Sequence, residues 1–424
     1  MFGKRKTPHI QIHEREALLQ LLRPVTHSGT FAASTVSNWY AGREFILRAM
    51  ESNSSFGANG VAANDFGGIH VTAAGTSSLV MAALRQLALS AHFLNYEEDT
   101  HANRTVITLL YNRTRHPDIV GLLRAEENLC HLPDYCKITL RSGDDTSVAP
   151  QVINGDSYLD VELDLVGFPS DDFSAFTEIR PQITAEAIEE FVQANPIDQS
   201  VDTTMARYIN MVYNVGADID NLPPYDPNNV SNYTIALNYF AFQQKKKEAD
   251  KCWGPLPVAA DQERMRDNGY QLQLRNRLSN VACSDCIALR LKSIIRPSDR
   301  ALLGMDTRSI PDAEALTQVL NRKQRKVMKL LQRDFAALAR SEHLRWCTEK
   351  LILGFRPFSD RDLLEDSRHF GDDRKAFRRS LKPQFKHVNL CSYRDLRRID
   401  PANMKTDCFL MMAMPEIWLK ATSR

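Results

Sequence analysis

Near the C-terminal end of the sequence, the stretch SEHLRWCTEKLILGF (residues 341–355) places Glu342, His343, Arg345 and Trp346 within little more than one helical turn. An acid, an imidazole, a guanidinium and an indole at this spacing admit four readings: a catalytic cluster, a metal site, a ligand cage, or a helix tied by its own side chains. On a helix Glu342 neighbours Arg345 and Trp346, and Arg345 also reaches Glu349, because residues three and four apart share a face. His343 falls on the adjoining stripe with Cys347 and Leu351. The metal reading is weak, since Glu342 and His343 are adjacent and point apart, and the chain has no HExxH pattern. Catalysis needs a nucleophile, and no Ser or Cys motif stands nearby. No catalytic or metal-ligating residue is assigned, and the ion-paired and ligand-binding readings both stay open.

A second feature follows the apolar run GIHVTAAG. A dinucleotide-binding unit places G-x-G-x-x-G between strand and helix, so that N–H groups at the helix start face a pyrophosphate. The corresponding frame here is residues 73–78, which keeps only the middle glycine, Gly75. Thr76, Ser77 and Ser78 add hydroxyl donors that suit an anion. The acid that binds a ribose diol is missing: the next strand ends in Tyr111, Asn112, Arg113 and Arg115, and cations there suit a phosphate better. Gly75, Thr76, Ser77, Ser78, Asn112 and Arg113 are therefore candidate contacts for a nucleotide or dinucleotide cofactor, with ordinary NAD disfavoured. The alternative is a scaffold that has lost its ligand.

Both features need elements to hold them. GIHVTAAG, RTVITLLYN, CKITLR and YLDVELDLVGF read as strands, the last with one acidic, wet face. TSSLVMAALRQLALSAHF and PDIVGLLRAEENLCHL between them read as helices. Strands separated by helices imply an α/β fold with a parallel, doubly wound, Rossmann-like sheet. EREALLQLLRPV and NWYAGREFILRAM form an N-terminal helical segment. TAEAIEEFVQAN, capped by Thr184, opens a helical region that includes DTTMARYINMVYNV, the linker GADIDNLPPYDPNNVSN and YQLQLRNRLSNVACSDCIALRLKSI. The organisation expected is residues 1–60 helical segment, 61–185 Rossmann-like domain, 186–334 helical connection and 335–424 a small, mainly α domain.

Composition narrows the function classes. At 424 residues, 43% hydrophobic and 25% charged, the chain has the make-up of a folded protein of two or three domains. A formal charge of +1 gives no general field for nucleic acid or anionic lipid. The beginning of the sequence is charged and polar, unlike a signal peptide, and the stretch 66–84, free of charged side chains, is too rich in Gly, Ser and Thr to span a bilayer. Eight cysteines without a secretory signal point to reduced thiols and a cytoplasmic location. Cys283 and Cys286 have CxxC spacing, but with no second pair for zinc and no preceding strand they read as structural.

SEHLRWCTEKLILGF, followed by KHVNLCSYRDLRRID and MKTD, resembles the RyR domain, a small helical module repeated in ryanodine receptors and occurring singly in many bacterial proteins. Glu342, His343, Arg345, Trp346, Lys350, Gly354, Phe355, His387, Leu390, Tyr393 and Leu396 occupy the positions of its pattern. The sequence departs from the family where a short link is expanded to RPFSDRDLLEDSRHFGDDRKAFRRSLKPQF, and where Val388 replaces a common Pro. Upstream, LALSAHFLNYEEDTHANRTVITLLY is similar to a phrase in Rossmann domains of the potassium-channel-regulator type that accompany bacterial RyR modules. LSNVACSDCIALRLKSI loosely matches a further helix of those proteins.

The resemblance implies sensing of a nucleotide or nucleotide-derived signal, including in antiviral defence. With no convincing catalytic set beside the Gly75 loop, the leading expectation is a self-associating sensor rather than an enzyme, its ligand at that loop, at the RyR module or between them. The resemblance places Glu342, His343, Arg345, Trp346, Lys350, His387 and Tyr393 at a ligand site. Trp346 would stack on a base, Arg345 and Lys350 would meet phosphate, and His387 and Tyr393 would close the cage. Two alternatives belong to other classes. One is an NAD(P)-dependent or nucleotide-cleaving enzyme using Glu162, Asp164, Asp171 or Asp172; the other is a protein-interaction scaffold.

Overall fold

The computed structural model of the chain describes residues 33–125, 129–155, 157–195, 205–206, 209–210, 274–295 and 324–422. EREALLQLLRPV, the linker GADIDNLPPYDPNNVSN and most of DTTMARYINMVYNV lie outside them. Helix α1 (Ala33–Ser52) precedes strand β1 (His70–Ala74), which passes through Gly75 into α2 (Ser78–Ser90). Strand β2 (Thr105–Asn112) follows. The single helix expected next is realised as two short pieces, α3 (Ile119–Arg124) and α4 (Leu132–Tyr135), with Cys130 at a positive φ of 46° just before the second. Strands β3 (Lys137–Ser142), β4 (Gln151–Asn154) and β5 (Val161–Phe168) complete the sheet.

The strand order is β1-β2-β5-β3-β4. β1, β2, β5 and β3 are parallel, while β4 pairs antiparallel with β3 and makes the sheet mixed. The architecture is thus α/β with a mostly parallel five-stranded sheet, and its antiparallel edge had no counterpart in the sequence reading. β5 also differs from expectation. It is central, between β2 and β3, so its acidic face is covered rather than wet. Asp164 is 8% exposed, accepts from Thr108 Oγ1 at 3.0 Å and pairs with Arg141 at 2.8 Å, and Glu162 pairs with Lys137 at 2.8 Å. Alternation fixes which residues share a face, but not what lies over that face.

The opposite face carries the main core. Leu84, Leu87 and Ala88 of α2 pack in one continuous cluster with Ile107, Leu109, Leu163 and Leu165 of the sheet. Helix α5 (Ala185–Ala194) begins at Thr184, whose hydroxyl accepts from the Ala187 N–H. Helix α6 (Leu274–Ile294) and the 29-residue α7 (Gln324–Ile352) lie over α2. Leu344, Cys347 and Leu351 of α7 belong to the same cluster as the sheet residues, so α7 joins the C-terminal module to the sheet through a shared core. That module comprises β6 (Arg356–Pro357), α8 (Asp360–Arg368), α9 (Gly371–Leu381), β7 (Lys386–His387), α10 (Tyr393–Ile399) and α11 (Pro401–Thr422). β6 and β7 form a short parallel pair, and α11 packs along α7.

α1 crosses α2 at close range because Gly42 has no side chain. A Cβ there would lie 2.6 Å from the Ala83 nitrogen and 2.7 Å from the Ala82 carbonyl carbon. Gly42→Ala is expected to destabilise the protein by about 1–3 kcal/mol through overpacking, and Gly42→Val by more. Urea unfolding checks this; an unshifted midpoint for both variants would contradict the close crossing.

Candidate functional site

The two stripes of α7 do different things. Glu342, Arg345 and Glu349 face α6 and are sealed from water. Arg345 Nη2 donates to Glu342 Oε1 at 2.9 Å, its Nε to Glu342 Oε2 at 3.0 Å, and its Nη1 to Glu349 Oε2 at 2.8 Å. From α6, Arg290 donates to Glu342 at 2.7 Å and Ser279 to Glu349 at 2.7 Å. Burial raises the Glu342 pKa, but Arg345 and Arg290 outweigh it and hold the carboxyl at about 2. With 0% exposure, Glu342 and Arg345 form an internal ionic tie between two helices and do not line the cavity described next.

One residue further round, His343 and Trp346 line a cavity of about 420 Å³. Trp346 is half-buried, with the His343 ring nearly parallel to it at 6.2 Å and the His387 ring edge-on at 4.8 Å. Lys350, the third member of the stripe, is buried against the module. Its ammonium sits 5.6 Å from the indole centroid and pairs with Glu349 at 2.8 Å, so it contacts Trp346 without lining the cavity. Tyr393 lies behind His343 at a ring distance of 5.6 Å, likewise outside the lining. Its N–H donates to Glu98 at 2.6 Å, so an acid of the sheet domain caps α10.

The opposite wall comes from the expanded link, which the sequence reading did not assign to the site. α9 supplies Lys375, Arg378 and Arg379, the turn after it Lys382, and β7 Lys386. Asp366 of α8, 1% exposed, organises this wall by accepting from Arg374 at 2.6 Å and Arg378 at 2.7 Å. Arg378 also pairs with Asp400 at 2.9 Å, and Lys386 with Asp362 at 2.8 Å. The signal was present in DDRKAFRRSLKPQFK: Lys375, Arg378, Arg379 and Lys382 recur at helical spacing and so share one face.

The imidazoles are neutral. Burial lowers the His343 pKa to about 4, only partly offset by its bond to the Cys391 carbonyl. Nε2 donates there at 2.9 Å, leaving Nδ1 toward Asp407 at 3.7 Å. Burial, then the charges of Lys382 and Lys350, lower His387 to about 3. Its Nδ1 accepts the Asn389 N–H at 3.2 Å, which puts the ring proton on Nε2.

Cys347, His343 and Asp407 stand in the order of a nucleophilic triad, with Cys347 Sγ 3.4 Å from His343 Nε2. The thiol is nonetheless 0% exposed, and burial pushes its pKa well up, so no substrate reaches a thiolate there. Cys283 and Cys286 are likewise buried on α6 with raised pKa values. Among the described residues no group of three or more His, Cys, Asp or Glu is placed to hold a metal ion. Of the acids weighed for an enzyme, Asp171 pairs with Arg115 at 3.1 Å and Asp172 accepts the Ser174 N–H at 3.0 Å.

The turn after β1 lies elsewhere in the molecule. Gly75 has a φ of 89° and open space where a Cβ would stand. Thr76 Oγ1 contacts His116 Nε2 at 2.9 Å, and Ser77 caps α2 by accepting from Val80 N–H at 3.4 Å. Ser78, the first residue of α2, is exposed. Asn112 Oδ1 accepts the N–H groups of Thr114 and Arg115, both at 3.0 Å, and Arg113 binds Asp144 and the Ser142 hydroxyl at 2.8 Å. The structure therefore places Gly75–Ser78 at the carboxyl end of β1, with Asn112 and Arg113 engaged locally.

No protein family, curated protein or solved structure matches this chain. Among the described residues no helix is long and apolar enough to cross a membrane.

Arg345→Met should destabilise the protein by about 3–5 kcal/mol in denaturant unfolding, because it leaves Glu342 and Glu349 short of charge within the interior. A loss below 1 kcal/mol would show the tie to be dispensable. A pH series tests the second stripe. The folded-state value for His387 lies below the ordinary imidazole 6.5, so as pH falls below 6.5 the unfolded chain takes up the proton first and stability drops. Asp407, raised by burial and then by Glu342, gains stability on acidification, so the readout is a difference. Between pH 7 and pH 5, His387→Asn should lose about 2 kcal/mol less than the parent; parallel curves would mean His387 titrates normally.

Proposed function

We propose that the protein is a cytoplasmic sensor whose C-terminal module, of RyR type, binds a nucleotide or nucleotide-derived signal in the cavity beside Trp346. One observation carries this reading: a recess of about 420 Å³ with an indole and two neutral imidazoles on one side and, on the other, a basic wall of five Lys and Arg that shares the lining with Asp400 and Asp407. A flat heterocycle stacks on aromatic side chains with about 1–3 kcal/mol per base, and phosphate is drawn to Arg and Lys. The resemblance of SEHLRWCTEKLILGF to RyR modules supports it independently.

Signalling follows by differential binding. The wall on α9 and the aromatic residues on α7 belong to different elements, so a ligand bridging them favours one relative placement and shifts a conformational or self-association equilibrium. A role in antiviral defence belongs to this proposal through the family resemblance. Gly75 and its hydroxyl neighbours stand as a second anion-binding position, for a dinucleotide or for a regulatory phosphate.

Isothermal titration against mononucleotides, dinucleotides, cyclic nucleotides and ADP-ribose is the direct test. At least one ligand is expected to bind and be recovered unchanged. Trp346→Ala should weaken it by about 5-fold to 100-fold, and Arg379→Ala by about 10-fold, with the Arg379 effect shrinking at high salt. Silence of the whole panel with a folded protein would refute the proposal, and turnover of the ligand would move it to the enzyme class.

A further inference from the structure

The seam between the sheet domain and the C-terminal module carries a contact that only one protonation state can make. His131 stands immediately before α4, and its backbone N–H donates to the Leu351 carbonyl near the end of α7 at 3.1 Å. Its ring is held between two groups. Nε2 accepts from Arg356 Nε at 3.0 Å, and Nδ1 faces Asp134 Oδ2 at 3.3 Å. Arg356 is the first residue of β6, so the Nε2 contact crosses from the sheet domain to the module.

A guanidinium has donors and no acceptor, so an imidazole nitrogen that bonds it must offer a lone pair. That puts the ring proton on Nδ1, aimed at the Asp134 carboxylate, and leaves the ring neutral. A proton added at Nε2 sets N–H against N–H and one cation against another. Asp134 pulls the other way, since a charged ring pairs more strongly with it. Arg124 of α3 holds the other oxygen of that carboxylate at 2.7 Å. Arg85 of α2 acts on the neighbouring Cys130, and α7 contributes the Leu351 carbonyl. Burial lowers the His131 pKa below 6.5; the Asp134 bond raises it, and Arg356 and Arg124 lower it again. The His131 side chain keeps 18% of its surface in water, so protons reach it.

We propose that His131 is a pH-operated clasp: neutral, it holds Arg356 and fastens β6 to the sheet domain; protonated, it releases Arg356 and turns to Asp134. Freedom gained by β6 passes to its partner β7, because Arg356 pairs with Lys386 and Pro357 with His387. Lys386 and His387 line the recess, so the clasp sets how firmly that part of its wall is placed. It rests on its own contacts and needs no ligand. The clasped state binds the proton less well than the released one. Fastening is therefore complete above pH 6.5 and weakens as pH falls below it. The open-to-closed ratio rises by up to about 10-fold per pH unit.

The test is hydrogen exchange of the full-length chain between about pH 7.5 and about pH 5.5, corrected for the intrinsic pH dependence of amide exchange and read over β6 and β7. Protection is expected to fall about 3-fold to 10-fold in the parent. It should stay level in His131→Gln, whose side-chain oxygen accepts from Arg356 at any pH. His387 contributes equally to both proteins, so the difference between them belongs to His131. Arg356→Gln supplies a second arm. Without the guanidinium opposite, the His131 imidazole should titrate at higher pH by NMR than in the parent. A level parent profile overturns the clasp, as does an equal pH dependence in His131→Gln or an imidazole that titrates alike with and without Arg356. Arg356 is exposed, so the NMR arm decides the matter even where His131→Gln folds poorly.

Discussion

Arg345 sets the geometry of the C-terminal half. A guanidinium without water must find its hydrogen bonds in protein, and here two carboxylates of its own helix supply three of them. Arg290 and Ser279 of α6 meet those same carboxylates, so the helices are tied at a fixed rotation as well as a fixed distance. Successive helical residues differ by about 100° around the axis. Once Glu342 and Arg345 point at α6, His343 and Trp346 have to point at the cavity. The ionic tie need not add net stability relative to an apolar pair; its effect is to orient the neighbouring stripe.

The basic wall depends on a second buried carboxylate. Asp366 gathers Arg374 and Arg378, and Arg378 reaches on to Asp400 at the start of α11. These bonds hold α9 against the module while other cations on the same face stay exposed. The long segment between Gly354 and Lys386 thereby supplies one wall of the recess.

In the sheet domain, polarity is spent internally. On the face away from α2, His70, Thr108, Asp164, Arg141 and Glu178 are linked in series across the strands. Such a chain satisfies buried polar groups at the centre of the sheet, and it explains why an acidic strand can be central. The turn at Gly75 keeps its open approach, but Arg113, expected from the sequence to face a phosphate, is held by Asp144. The recess beside Trp346 combines aromatic and basic surface in one place, and the turn at Gly75 does not.

Local periodicity determined a good deal. The positions of β1, β2, β3 and β5, the helix after Gly75, the Thr184 cap, and the Glu342–Arg345–Glu349 pairing all follow from spacings of two, three or four residues. So does the association of His343 with Cys347. What the spacing left open was which stripe of α7 meets solvent, because that depends on Arg290, 52 residues from its partner Glu342. The same holds for the covered face of β5, the antiparallel β4 edge, and the contribution of Arg379 and Lys382 to the recess. Helical and strand patterns are set by neighbours along the chain, whereas burial, protonation and cavity walls are set by whatever distant segment packs above. Only the tertiary structure therefore separated an arginine that ties helices from an indole that faces a cavity one residue away.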